Sequence, residues 1–207
     1  MRTSWFRFAL GFFLVLFATL PAAAEQQSQP DLLIELLGLK EGMTVAEVGA
    51  GEGELTIAVA QKLGPRSLVY STELKKELPD LRRAIRKAGL RNVLITEAGV
   101  RDTHLPPACC EAIFMRRVYH HFKDPRSENR SIFRNLRPGG RLAIIDMEPR
   151  KDWDPPEGVH NRGGHGVARD EVIAEVKAAG FELEREVSDW PEDLYALVFR
   201  KPLKSRR

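Results

Sequence analysis

The fold of this 207-residue chain is decided by the stretch Val45-Ala46-Glu47-Val48-Gly49-Ala50-Gly51-Glu52-Gly53-Glu54-Leu55-Thr56. Its pattern predicts a buried strand, a glycine-rich turn and the start of a helix. The glycines permit a ligand to approach the backbone closely, and the N–H groups at the start of the helix would point to the same place. Glu47 lies within the strand, where a carboxylate is costly to bury without a partner. The stretch therefore predicts a binding site for a donor-rich ligand at the end of the strand.

The glycine spacing separates two classes of ligand. A dinucleotide site requires G-x-G-x-x-G, whereas the glycines here are Gly49, Gly51 and Gly53. Glu52 and Glu54 flank the third glycine and disfavour a pyrophosphate. No G-x-x-x-x-G-K-[ST] phosphate loop occurs in the chain. A zwitterionic ligand with a cationic sulfonium suits this acidic loop better, and a purely structural turn is the alternative.

Apolar runs and glycine or proline stops alternate along the rest of the chain and predict helices and strands in turn. The predicted helices cover 31–37, 55–63, 78–88, 125–136 and 170–179. The predicted strands cover 44–48, 67–71, 92–96, 112–116 and 141–146, followed by an antiparallel pair at 181–187 and 194–199. This alternation predicts an α/β fold with a mostly parallel sheet and helices on both faces.

Candidate binding residues follow the ends of the predicted strands, where ligands bind in open α/β sheets. Glu73 follows the second strand and could accept hydrogen bonds from both hydroxyls of a ribose, or it could complement a helix dipole. Asp102 follows the third strand and could meet an adenine amino group, or it could form a turn. The segment at 119–121 follows the fourth strand, where a second substrate would enter.

Several segments resemble the class I S-adenosylmethionine-dependent methyltransferases. The loop E-V-G-A-G-E-G at 47–53 is similar to the cofactor loop of that family. The turn L-R-P-G-G-R-L at 136–142 resembles the family's turn before strand five, and A-A-G-F at 178–181 resembles its step before the last strand pair. The segment V-Y-H-H-F-K-D-P at 118–125 resembles a bacterial, often exported subgroup. The resemblance covers most of the chain.

The resemblance implies a Rossmann-like, seven-stranded sheet whose last strand is inserted antiparallel between strands five and six. It implies S-adenosyl-L-methionine as the cofactor. It assigns the ribose to Glu73 and the methionyl part of the cofactor to the first strand and its loop, namely Glu47, Gly49, Ala50, Gly51 and Gly53. The family's Gly-Asp after strand three is replaced by Gly99-Val100, so the adenine contact at Asp102 stays open. The absent N-P-P-[YF] signature argues against amide and adenine acceptors.

The chemistry of methyl transfer points to the segment after strand four. The protein must align the acceptor and exclude water, and it needs a base only if the acceptor loses a proton. Tyr119, His120 and His121 are therefore the candidate catalytic residues, although one histidine could pack and the other cap a helix. The segment at 160–166 is either a lid or a surface loop. His160 and His165 lack a third metal ligand nearby in the sequence, so no metal site is predicted.

The first residues predict a sorting signal. Arg2 and Arg7, an apolar run at 8–20 and Ala22-Ala23-Ala24 form a secretory signal peptide over 1–24, which leaves a methyltransferase domain at 25–207. An uncleaved membrane anchor is the alternative. Cleavage predicts a periplasmic or secreted protein, and an uncleaved anchor predicts a membrane-anchored protein that faces outside the cytoplasm. The two cysteines, Cys109 and Cys110, are adjacent and are predicted to be thiols, because neighbours fit poorly to ordinary disulfide geometry.

Composition restricts the partners. The chain has 32 Lys and Arg against 29 Asp and Glu, a net charge of +3, and this balance is not that of a nucleic-acid-binding protein. The expected acceptor is a small or lipid-like molecule. The hypothesis is an exported S-adenosylmethionine-dependent methyltransferase. The alternatives are a non-catalytic protein that binds a nucleoside or the cofactor, and a nicotinamide oxidoreductase, which the glycine spacing disfavours.

Overall fold

The computed structural model describes residues 27–203, so the predicted signal segment at 1–24 lies outside the described residues. The strands are β1 (Thr44–Val48), β2 (Leu68–Leu74), β3 (Val93–Ala98), β4 (Cys110–Arg116), β5 (Leu136–Asp146), β6 (Glu182–Trp190) and β7 (Leu194–Arg200). The helices are α1 (Gln29–Leu37), α2 (Glu54–Leu63), α3 (Leu78–Lys87), α4 (Pro125–Asn135) and α5 (Arg169–Ala178), with a 3-10 turn at Tyr119–His121.

The strands form one sheet in the order β3-β2-β1-β4-β5-β7-β6. The first five strands pair in parallel, and β7 lies antiparallel between β5 and β6. This arrangement confirms the predicted Rossmann-like fold. The chain leaves β1 toward β2 on one side, whereas β4 lies on the other side, so the strand order reverses at β1. A crevice opens at such a switch point, beside the carboxyl ends of the strands.

Alternation along the strands divides the core into two layers, because successive side chains point to opposite faces of a sheet. Val45 and Phe114 belong to the cluster that packs against α1 and α2. Their neighbours Ala46 and Ile113 belong to the cluster that packs against α4 and α5. The sheet is therefore covered on both faces, which explains the apolar runs in its central strands.

The observed elements differ from the predicted ones mainly at their ends. Strand β2 continues to Leu74, so Glu73 lies within the strand and pairs in register with Glu97 of β3. Helix α1 begins at Gln29, with Asp31 in its first turn and not at the capping position. Helix α5 likewise has Asp170 in its first turn. Pro30 favours the early start of α1, and pairing with β3 extends β2, whereas the start of α5 differs from the prediction by one residue only.

The prediction of two thiols is wrong, because Cys109 and Cys110 are joined in a disulfide. Adjacent side chains point apart in a regular strand, but this pair lies where the strand is irregular. Ala108 has a left-handed backbone with φ +50°, and the register of β4 shifts between Cys110 and Ala112. The local departure from extended geometry turns the two sulfurs toward each other.

Within residues 27–203, no helix is long and apolar enough to cross a membrane.

Candidate functional site

A cavity of about 590 Å³ lies at the carboxyl ends of β1 to β4. Its volume falls within the range of about 300–1,000 Å³ that is usual for small-molecule sites. We call it the strand-end cavity. It is lined by Glu47, Val48, Gly49, Ala50, Gly51, Glu52, Glu54, Leu55, Glu73, Leu74, Lys76, Glu77, Ala98, Gly99, Val100, Arg116, Arg117, Val118, His121, Phe122 and Glu128.

The lining of the strand-end cavity is acidic. The lining contains six carboxyl side chains and three cationic ones. The cationic side chains are those of Lys76, Arg116 and Arg117. An acidic enclosure attracts a cationic ligand and disfavours a polyanion such as a pyrophosphate. The excess of carboxyl groups that the sequence shows around the glycine loop therefore extends to the whole cavity lining.

The glycine loop is fastened to the end of β2. The N–H groups of Gly49 and Ala50 both donate to the carbonyl of Thr72 at 3.0 Å. Gly53 occupies the N-cap of α2 in a left-handed conformation with φ +84°, and as a glycine it has no side chain that could cap the helix. Since Leu55 of the first turn lines the cavity, the uncapped helix start offers its N–H groups to an anionic ligand group.

Glu73 joins the second strand to the glycine loop. Its Oε2 accepts from the N–H of Gly51 at 2.7 Å, and its Oε1 accepts from the N–H of Leu74 at 2.7 Å. A carboxylate oxygen has two lone pairs, so each oxygen keeps one acceptor site for a ligand hydroxyl. The side chain is 9% exposed and lines the cavity. The ribose contact of Glu73 stays a prediction.

Glu47 is almost fully buried beneath the loop, at 3% exposure. The hydroxyl of Thr56 donates to its Oε2, and the Thr56 oxygen also lies 2.8 Å from that of Ser71. Burial raises the pKa of Glu47 to about 8, against the hydrogen bond of Thr56 and the charge of Arg116, which lower it. The carboxyl group is therefore largely protonated at neutral pH in the ligand-free protein.

We expect cofactor binding to release a proton from Glu47. A cationic sulfonium or ammonium near the carboxyl favours its charged form, so affinity should rise with pH by up to about tenfold per unit and level off above pH 8. The stability of the free protein should change oppositely. It should fall as the pH rises from the ordinary pKa of 4.5 through about 8, because the folded state holds the extra proton.

Calorimetry at pH 7 in buffers of different ionisation enthalpy measures the released protons. Glu47→Gln is the matched control, because its amide oxygen keeps the acceptor for Thr56 and cannot titrate. Equal proton release by Glu47→Gln and the unaltered chain would assign the proton to another group.

The expected cofactor fits these residues on structural grounds. Glu47 is a buried carboxyl that a cation would ionise, and the uncapped start of α2 suits a carboxylate. Gly51 has φ +54°, and a Cβ built there meets no protein atom within 4 Å. The loop thus keeps a bare backbone beside the cavity, as the close approach of a ligand requires.

Two of the three predicted catalytic residues lie away from the cavity lining. Tyr119 is fully buried, and its hydroxyl donates to Glu175 at 2.8 Å while it accepts from Asn129 at 2.7 Å. Burial raises the pKa of Tyr119 well above its ordinary value. His120 is also buried and pairs with Asp146 beneath the site. The contacts of Tyr119 favour a structural role, and catalytic roles for Tyr119 and His120 stay predictions.

His121 is the predicted catalytic residue that lines the strand-end cavity. Desolvation by the surrounding protein, and after it the charge of the neighbouring His120, lowers the pKa of His121 to about 4. The ring is therefore neutral at pH 7 and accepts a proton only weakly. His121 is better suited to orient or bind a partner than to remove a proton.

Asp102 lies outside the cavity lining. It accepts from Arg134 at 2.8 Å, from Ser131 at 3.0 Å and from the backbone of His104 at 2.8 Å. All three partners of Asp102 therefore lie in the turn after β3 or on α4. The adenine contact predicted for Asp102 stays a prediction, and its position does not support it.

Glu128 is a lining residue that the sequence did not indicate. It lies in the first turn of α4 and is buried at 8% exposure. Burial, followed by the charge of Asp124, raises its pKa to about 8. An acid in the first turn of a helix is common for electrostatic reasons alone, so the position of Glu128 in the sequence does not mark it as functional. Glu128 is identified as a site residue by its burial and by its place in the cavity lining with Gly99 and Val100.

Arg117 was also missed, and it has an unusual backbone. It follows β4 with φ +57° and pairs with Glu192 at 2.8 Å. A left-handed conformation is costly for a residue with a Cβ. The conformation is held by the hydrogen bond from its N–H to the carbonyl of Ile145 at 2.8 Å. Nothing in the local sequence distinguishes this arginine from a surface residue.

The chain is similar to known methyltransferases in sequence and in structure. Residues 39–197 match the family described as "Methyltransferase domain". The uncharacterized methyltransferase YdaC of Bacillus subtilis is 29% identical over 160 residues, which cover 77% of this chain and 83% of YdaC. A SAM-dependent methyltransferase from Aquifex aeolicus has a similar structure, with a TM-score of 0.70 and 27% identity over 83% of this chain and 89% of that one.

A more distant relative is the ubiquinone/menaquinone biosynthesis C-methyltransferase UbiE of Vibrio vulnificus. It is 25% identical over 130 residues, which are 62% of this chain. The chain spans about half of the length of UbiE, since the match covers 50% of that protein.

Proposed function

The chain belongs to the methyltransferase domain family, and on that premise we propose that it methylates a small-molecule acceptor outside the cytoplasm. S-adenosyl-L-methionine is its cofactor. The cofactor supplies a methyl group that is already activated by a cationic sulfur. The observation that carries the proposal is the strand-end cavity, whose acidic glycine-loop side continues to His121 and Phe122 within one enclosure.

The chain's own residues have distinct tasks in this proposal. Glu47 lies under the loop as a counter-charge for the cationic part, and the start of α2 receives the carboxylate. Glu73 accepts from the ribose hydroxyls while it holds Gly51. Glu128 is proposed to contact the adenine, because it is a buried acid of the lining besides Glu47 and Glu73, and the family's Asp is replaced by Val100.

The acceptor is proposed to lie beside His121, Phe122 and Val118 at the end of β4. A neutral His121 favours transfer by alignment and exclusion of water over transfer by general-base catalysis. The size of the cavity and the small net charge of the chain favour a small molecule over a nucleic acid. The likeness to UbiE keeps a quinone or another lipid-like acceptor within the proposal.

A transfer assay with fractionated extract tests this proposal. The full-length chain is incubated with S-adenosylmethionine labelled in its methyl group and with cell-envelope extract separated into aqueous, organic-soluble, protein and nucleic-acid fractions. We expect label in the aqueous or organic-soluble fraction. Label in nucleic acid or protein would contradict a small-molecule acceptor.

Binding of S-adenosylmethionine without transfer to any fraction would favour the alternative, a non-catalytic cofactor-binding protein that keeps the fold. The location has its own test. Protein recovered from the periplasm or the medium should begin at Glu25, whereas recovery from the cytoplasm alone would contradict export.

A further inference from the structure

Three histidines from two distant segments meet beside the strand-end cavity. One nitrogen of each of His120, His121 and His165 lies within 4.8 Å of those of the other two. The ring centre of His120 is 4.2 Å from that of His121 and 4.8 Å from that of His165. We call these residues the histidine cluster. His120 and His121 follow β4, and His165 comes from the segment between β5 and α5.

Hydrogen bonds set the tautomers of two of these rings. The Nδ1 atom of His120 lies 2.6 Å from Oδ1 of the buried Asp146. The Nδ1 atom of His165 lies 2.9 Å from the backbone carbonyl of Asp154. A carbonyl accepts and cannot donate, and a carboxylate does the same, so each Nδ1 carries the N–H. In the neutral ring, Nε2 then keeps its lone pair.

This is the arrangement that metal-binding histidines use. Their second ring nitrogen donates to a carboxylate or a carbonyl, which fixes the tautomer and raises the basicity of the coordinating nitrogen. Both kinds of partner occur in the cluster, Asp146 for one ring and the carbonyl of Asp154 for another. Asp146 also accepts from the backbone N–H groups of His120 and Met147, so its position is rigid.

The backbone brings His165 to the other two rings. His165 and Arg150 form an antiparallel bridge, with N···O distances of 2.8 and 3.2 Å. Glycines flank His165 on both sides. A Cβ at Gly164 would lie 2.2 Å from the carbonyl oxygen of Arg150, and one at Gly166 would lie 2.7 Å from that of Glu148. The close backbone packing that these glycines permit fastens the segment over the histidine pair.

We propose that His120, His121 and His165 bind one divalent transition-metal ion of the Zn²⁺ type through their imidazole nitrogens. Imidazole is a preferred ligand of this class of metals, and three histidines with an open fourth position form a known kind of catalytic zinc site. Around a metal with Zn–N bonds of about 2.0–2.1 Å, the three nitrogens lie closer to one another than in this structure. Metal binding therefore requires the rings to move together. Within residues 27–203, no hydrogen bond holds the His121 ring against that movement.

The open position would lie beside the strand-end cavity, because His121 lines it. Water or an anionic oxygen or sulfur atom of an acceptor could occupy that position. This last role rests on the proposed methyl transfer, whereas metal binding itself does not. The sequence did not predict the site because the spacing of 44 residues between His121 and His165 is unlike that of a zinc motif.

Cobalt titration tests the site, because Co²⁺ replaces Zn²⁺ and gives visible absorption bands in a low-coordinate nitrogen site. Metal-free full-length chain should bind one equivalent of Co²⁺ with such bands and should release it to Zn²⁺. His165→Ala should weaken binding by at least about 100-fold, more than the usual loss of a supporting residue. The matched control is His160→Ala, which removes an exposed histidine from the same segment and should change nothing.

Two further measurements keep the test decisive. His121→Ala removes a different, exposed ligand, so it tests the site even if the His165→Ala protein does not fold. Circular dichroism measures whether the two variants are folded. Zn²⁺ should raise the melting temperature of the unaltered chain and not that of either variant. Unchanged Co²⁺ affinity in both variants, or no single-equivalent binding by the unaltered chain, would overturn the proposal. Titration of S-adenosylmethionine into the metal-free chain measures cofactor binding on its own. Absence of the metal site can therefore be distinguished from failure of the proposed methyl transfer.

Discussion

Glu73→Ala should lower the affinity for S-adenosylmethionine by at least about 100-fold. The variant loses the proposed acceptor for the ribose hydroxyls and the tie to the N–H of Gly51. A hydrogen bond to a charged group contributes about 1.5–3 kcal/mol, so the loss of two such bonds corresponds to about 3 kcal/mol or more. Since about 1.4 kcal/mol is tenfold in affinity, the expected loss is two orders of magnitude.

Calorimetric titration of S-adenosylmethionine and S-adenosylhomocysteine measures this effect. Glu97→Ala is the control, because Glu97 pairs with Glu73 in the sheet but is exposed and does not line the cavity. Both cofactor forms share the ribose, so both should lose affinity equally. Unchanged affinity in a folded Glu73→Ala protein would show that Glu73 does not bind the ribose. An equal loss of affinity in Glu97→Ala would indicate a general effect of charge.

Gly49→Ala should destabilise the fold and abolish cofactor binding. Gly49 has φ +71°, and a Cβ there would lie 2.6 Å from Cγ2 of Val118 and 2.8 Å from its Cγ1. The left-handed backbone costs about 1–2 kcal/mol with a side chain, and such overpacking costs about 1–3 kcal/mol more. We expect the free energy of unfolding to fall by about 2–5 kcal/mol, as measured by urea unfolding.

A double variant separates the two costs. Val118→Ala removes both Cγ atoms, so Gly49→Ala combined with Val118→Ala should be less destabilised than the sum of the single changes. Gly89→Ala is the control for the backbone, because Gly89 has φ +67° and a Cβ there meets nothing within 4 Å. If Gly89→Ala is as costly as Gly49→Ala, the contact with Val118 does not contribute.

The architecture was predictable because its signals are local. The apolar run before Gly49 and the glycine or proline stops after each helix mark most elements, and the resemblance supplied the place of the last strand. The element ends were less predictable, because strand pairing decides them. Glu73 belongs to β2 since it pairs with Glu97, which lies 24 residues away. The disulfide of Cys109 and Cys110 depends on an irregular backbone that no local pattern announces.

The candidate site was predictable on its cofactor side and much less so on its acceptor side. The predicted residues Glu47, Gly49, Ala50, Gly51 and Glu73 line the cavity because they lie at or next to the ends of β1 and β2, whereas the predicted Gly53 is not part of the lining. His165 meets His120 only through the packing of a distant segment against Arg150. Asp102 is held by Ser131 and Arg134 of α4, and the sequence contains no sign of that pairing. Contacts between segments thus decided which candidates face the cavity.

The position of β7 between β5 and β6 has a consequence for how the chain reaches its folded form. Strand β7 is the last of the described strands in the chain and an inner strand of the sheet, so the sheet cannot close until residues 194–200 have been made. Before that point β5 and β6 have unpaired edges, and an early-released chain with open edges is prone to aggregate. For the export that we propose, late closure is an advantage, because residues 27–193 cannot complete the sheet before β7 reaches them.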